Sequence, residues 1–77
     1  MLLKHMLLKF DVFGKPMSVI RTNDEWLLFR ESQTGMRVRV YDVVIPAQLA
    51  AHELGRYLDD IYHEHSSATH SRVKQIN

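Results

Sequence analysis

With 77 residues, 45% of them apolar and 25% charged, and no cysteine, the chain reads as one small globular domain. Disulfides, thiolate zinc sites and thiol catalysis are excluded together, and the missing cysteines fit a cytoplasmic home. A net charge of +1 with neutral histidines excludes the strongly basic balance of a dedicated nucleic-acid binder.

The opening MLLKHMLLKF repeats MLLK at Met1 and Met6, and residues 1–5 are expected to be either an N-terminal extension or the product of an alternative start at Met6. Lys4, His5 and Lys9 interrupt this stretch, and it is too short for a membrane span or signal peptide. A soluble protein without membrane contact is expected. From Met6 the run MLLKFDVF alternates, with Leu8, Phe10 and Val12 on one side and Lys9, Asp11 and Phe13 on the other, as a strand does. Gly14, Lys15 and Pro16 form a turn signal, MSVIRT a second β-rich run and TNDE another turn. The third run, EWLLFRE, is apolar on both sides: Trp26 and Leu28 face one way, Leu27 and Phe29 the other. After SQTG, the fourth run MRVRVYD sets Met36, Val38 and Val40 against Arg37, Arg39 and Tyr41.

Pro46 marks a boundary, and beyond it the apolar spacing becomes helical. Steps of 100° gather Ala51, Leu54, Tyr57, Leu58, Ile61 and Tyr62 on one face and the charged residues on the other. Gly55 borders that apolar face, where a missing side chain lets the helix approach the sheet, at about 1 kcal/mol of helix propensity. The Ser-rich remainder lacks periodicity and reads as a flexible tail. The expected fold class is α+β: a four-stranded antiparallel meander followed by one amphipathic C-terminal helix on one sheet face, with the domain spanning 6–64 and the tail 65–77.

One helix covers one face of such a sheet, so the composition of the other face decides whether the domain wants company. Phe13, Ile20, Leu27, Phe29 and Tyr41 are expected there, joined by Arg37 and Arg39, and a patch of that extent is typical of partner sites. The leading expectation is a non-enzymatic protein-interaction module, a homodimer or an accessory subunit, that uses this face. Closure of the face by Met1–Leu7, by Val43–Ile45 or by the tail is the competing outcome. Lys9, Arg37 and Arg39 lie on the expected outer strands, where charge discourages edge-to-edge pairing.

Two other chemistries have ingredients in the sequence. Arg37, Arg39 and Tyr41 have the ingredients of a single-stranded nucleic-acid surface, but no RNP-type aromatic motif accompanies them, and Asp11, Glu25 and Glu31 dilute the field. The cluster DDIYHEHSSATH suggests a weak transition-metal site from Asp59, His63 and His65. Two residues apart on a helix, His63 and His65 point away from each other, so that site requires the helix to end by residue 63. The solvated end of an acidic helix is the simpler reading, and no metal or other cofactor is expected. Ser66 and Ser67 follow His63 in sequence, yet no oxyanion array or phosphate loop accompanies them, so no catalytic residues are expected.

The stretches YDVVIPAQL (41–49) and ELGRYLDDIYHE (53–64) resemble segments of a family of short uncharacterised bacterial proteins, a domain of unknown function. The resemblance covers Met6 to Glu64 and implies the same meander followed by one helix. It implies no activity, cofactor or partner.

Overall fold

The computed structural model describes residues 6–77. Three strands, β1 (Met6–Val12), β2 (Lys15–Thr22) and β3 (Glu25–Glu31), form consecutive antiparallel hairpins; β4 (Arg37–Arg39) continues the meander. The helix α1 (Leu54–Tyr62) follows, entered through a 3₁₀ turn at Ala51–Glu53 and left through another at His63–His65. A fifth strand, β5 (Lys74–Gln75), pairs antiparallel with β1, giving the order β4-β3-β2-β1-β5. The α+β class and antiparallel sheet are as expected from sequence. The strand count is not: residues 74 and 75, expected in the tail, belong to the sheet, and β1 lies inside it instead of at its edge.

Both hairpins close on two residues. Phe13 and Gly14 have φ of 51° and 89°, and Asn23 and Asp24 have 49° and 60°, the positive pairs that type I′ turns require. The first turn is therefore Phe13-Gly14, and Lys15 and Pro16 are strand residues. Pro16 is tolerated because the β2–β3 ladder ends one residue earlier, at Met17↔Arg30, so its missing N–H removes no ladder bond. Phe13 does not reach the outer face. It lies 6% exposed in the core, with its ring edge-on to His63 at 6.2 Å.

The core lies between the sheet and α1. Phe10, Val12, Met17, Val19 and Leu28 project from the strands, and Leu54 and Leu58 meet them from the helix. Gly55 sits over Phe10, but a methyl group there would lie 3.7 Å from the ring, an ordinary contact, so close approach does not require glycine. Ile61, expected in the core, is exposed. The segment after β4 returns beneath the lower end of this layer. Ile45 bridges to Trp26, Trp26 Nε1–H donates to the Leu49 carbonyl at 2.9 Å, and the Tyr57 hydroxyl donates to the Val44 carbonyl at 3.0 Å. The run 43–45 thus closes the helix side of the sheet, and at the sheet margin it also lines a cavity with Glu25, Arg39 and Tyr41 of the outer side.

The tail is tied down at several points. Asp59 Oδ2 accepts the Val73 N–H at 3.0 Å, and the Ile76 N–H donates to the Lys9 carbonyl at 2.8 Å. The Asn77 side chain then continues the ladder as a peptide group would: its Oδ1 accepts the Lys9 N–H at 2.8 Å and its Nδ2 donates to the Leu7 carbonyl at 3.2 Å.

Candidate functional site

Strand register assembles the outer face row by row. Leu7 pairs with Ile20 and Ile20 with Leu27, placing three half-buried aliphatic side chains in one line across the strands. The next row runs Lys9, Ser18, Phe29, Arg39. The row above it holds Asp11, Pro16, Glu31 and Arg37. At the other end Thr22 pairs with Glu25. Of the expected outer-face residues, Ile20, Leu27, Phe29, Arg37 and Arg39 occupy the sheet and Tyr41 follows at its margin, 77% exposed; Phe13 alone is on the opposite side. Met1–His5, a candidate for covering the face, lies outside the described residues.

The two arginines differ in what holds them. Arg37 Nε donates to Glu31 Oε2 at 2.8 Å, a cross-strand pair that fixes both side chains. The Ser18 hydroxyl, then Arg37 and Lys9, hold the Glu31 carboxyl below the usual carboxylate range, against the opposing effect of its partial burial. Ser18 acts here as a nearby dipole, since its fully buried Oγ closes no hydrogen bond of its own. Arg39 has no ion pair among the described residues. Its guanidinium carbon lies 4.9 Å from the Tyr41 ring centroid and 5.9 Å from that of Phe29, distances at which a cation is attracted to a ring. Arg39 Nε is sealed from water with no acceptor. The result is a positioned planar cation beside an exposed tyrosine, with no ion pair of its own among the described residues although it shares a cavity with Glu25.

Ile76 joins the same face, because its bond to Lys9 and the β1–β5 register put it on the outer side, 62% exposed. Periodicity gave no signal for it. Only the pairing partner of a two-residue strand reveals its side.

The histidine cluster does not converge. His63 Nδ1 lies 3.3 Å from Asp59 Oδ1, the helical i,i+4 spacing, but the chain continues through a 3₁₀ turn past residue 63 and carries His65 away. His65 Nε2 faces Glu64 at 3.7 Å and its ring lies 6.2 Å from that of Tyr62. Among the described residues no three His, Asp or Glu side chains gather with the geometry of a metal site. Ser67 Oγ accepts the His70 N–H at 3.2 Å in a local turn and makes no bond to His63.

The sequence profile of a domain of unknown function, DUF7661, matches residues 7–77. The chain belongs to the DUF7661 family. The match takes in β5 and Asn77 as well as the meander and helix, so the tied-down C-terminal segment lies within the DUF7661 domain. No curated protein and no solved structure matches the chain. Among the described residues of this DUF7661 domain no helix is long and apolar enough to cross a membrane.

Proposed function

We propose that this DUF7661 domain is a self-associating interaction module, a binding protein and not a catalyst, whose outer sheet face packs against the same face of a second copy. The observation that carries this reading is Arg39: a stacked, unpaired guanidinium on a face whose middle row is aliphatic and whose far end carries the exposed carboxylate of Glu25. Arg39 and Glu25 are one strand and four residues apart, roughly 14 Å at standard strand spacing. A two-fold axis crossing the strands along the Leu7, Ile20, Leu27 row would set Arg39 of each copy opposite Glu25 of the other. The contact would be self-complementary, as a two-fold interface must be, with the two sheets packed in aligned fashion.

The available area suits a modest affinity. Strands of seven, eight, seven, three and two residues present roughly 430 Å² per copy at standard strand spacing, or about 860 Å² in all, in the size range of weak, transient contacts. Sedimentation velocity on the full chain, from micromolar to millimolar concentration, tests the reading. Arg39→Glu should weaken the dimer and Glu25→Arg should do likewise, while the double exchange restores it. A chain that stays monomeric throughout, or an exchange that gives no rescue, would sink the proposal.

The Arg39 stack favours a second reading, because aromatic faces beside a free guanidinium are also what unstacked bases use. Retention on heparin at low salt, steeply lost as salt rises, together with failure of the charge exchange, would select it over self-association.

A further inference from the structure

On the helix side of the sheet, the register brings together four residues beside the C-terminal end of α1. Val12 pairs with Lys15 and Met17 with Arg30, so two buried apolar side chains are flanked by two exposed cations. Tyr62 and His65, at the end of the helix and in the turn after it, stand over this block and complete the lining of a cavity of about 220 Å³. No carboxylate lines it. Lys15 and Arg30 make neither an ion pair nor a side-chain hydrogen bond among the described residues, whereas Arg37 on the other face is tied to Glu31.

We propose that this cavity binds a small organic anion, with a short apolar stem on Val12 and Met17 and its carboxylate or phosphate between Lys15 and Arg30. An apolar floor with a few convergent polar groups is the usual make-up of a ligand site, and the cavity is smaller than the usual ligand pocket, which restricts it to a small ligand. Arg30 offers the planar fork that matches either oxyanion in bidentate fashion, and Lys15 adds a point charge. Tyr62 lines the cavity, and its phenol hydroxyl is a hydrogen-bond donor there. The His65 ring closes the rim, with Nε2 turned outward to Glu64. The site is on the opposite side of the sheet from the self-association face and does not depend on it.

The test is a titration of the full chain by two-dimensional amide NMR with three probes that share one stem: hexanoate, hexyl phosphate and hexanol. The proposal expects saturable shifts at Val12, Lys15, Met17, Tyr62 and His65 with one or both anions, and binding about tenfold or more weaker with hexanol, the factor that one good charged contact supplies. The stronger of the two anions identifies the headgroup. Arg30→Gln and Lys15→Gln, both at exposed positions that leave the core intact, should each reduce anion affinity about fivefold or more. Equal binding of hexanol, shifts confined to other residues, unchanged affinity in both variants, or no saturation by about 20 mM would overturn it.

Discussion

Asp59 Oδ2 accepts the backbone N–H of Val73 at 3.0 Å, so a helix carboxylate fixes the start of the segment that supplies β5. Its other oxygen faces His63. Asp59→Ala should cost about 1 kcal/mol, less than a buried bond to a charged acceptor because this one is partly exposed. The loss should be local first: amide exchange at Val73, Ile76 and Lys9 should quicken about fivefold or more while Val19 and Leu28 keep their protection. Uniform loss of protection across the sheet would show instead that the segment is part of one global unit.

The glycines at 55 and 14 should respond oppositely to the same change. Gly55→Ala adds a methyl at ordinary contact distance from Phe10 inside a helix, and thermal or denaturant unfolding should show a gain of about 0.5–1 kcal/mol. Gly14→Ala forces a left-handed residue at φ 89° and drives a methyl to 3.1 Å from the His70 ring, so a loss of about 1–2 kcal/mol is expected. Destabilisation by Gly55→Ala would mean that the helix sits closer to β1 than the structure shows.

Glu31 predicts an acid-side dependence. Its carboxyl is held below its ordinary value, so the stability it contributes is present above the unfolded-state value and is lost as pH falls through the native one. Glu31→Gln should therefore flatten the fall of the unfolding midpoint between about pH 5 and 3. The effect should be small, within about 1 kcal/mol, because the Arg37 pair is partly solvated. Parallel pH profiles for the variant and the parent would remove Glu31 from the account.

Tyr62 predicts the alkaline side. Burial first and Asp42 second raise its pKa, with Arg30 pulling the other way. The raised native value means that its contribution is complete below the unfolded value, about 10, and is lost as pH climbs past it. Ultraviolet titration of phenolate should show one of the three tyrosines ionising last, and Tyr62→Phe should remove that step. Asp42→Asn should move it to lower pH.

Much of this fold is written in local pattern. Alternation in β1 and β4, the doubly apolar β3 and the change to helical spacing after Pro46 are signals within ten residues of themselves, and all reappear in the structure. Alternation puts Phe13 on the wrong face because it counts residues and ignores handedness: a left-handed turn at Phe13-Gly14 sends the ring back over the core side. β5 and Ile76 escaped because a two-residue strand has no period, and its side chains take their faces from a partner far along the chain. The candidate face was legible as a set of residues, whereas the isolation of Arg39 against the pairing of Arg37 depends on which carboxylate each register brings near. The anion cavity was illegible for a related reason, since Lys15 and Arg30 become neighbours of Met17 only once three strands are aligned.

The Asn77 amide that stands in for a peptide group reaches Leu7 and Lys9 across 70 and 68 positions of chain. Hairpins closed by two-residue turns form in microseconds, whereas contacts so distant in sequence must await the chain between them. Of the described strands, β1 is therefore the first synthesised and the last to gain its second neighbour. Until that happens its far side is an open edge, the feature that invites pairing with another chain. An interruption in the C-terminal segment would then show itself as misassembly during folding before it showed itself as a weaker native state.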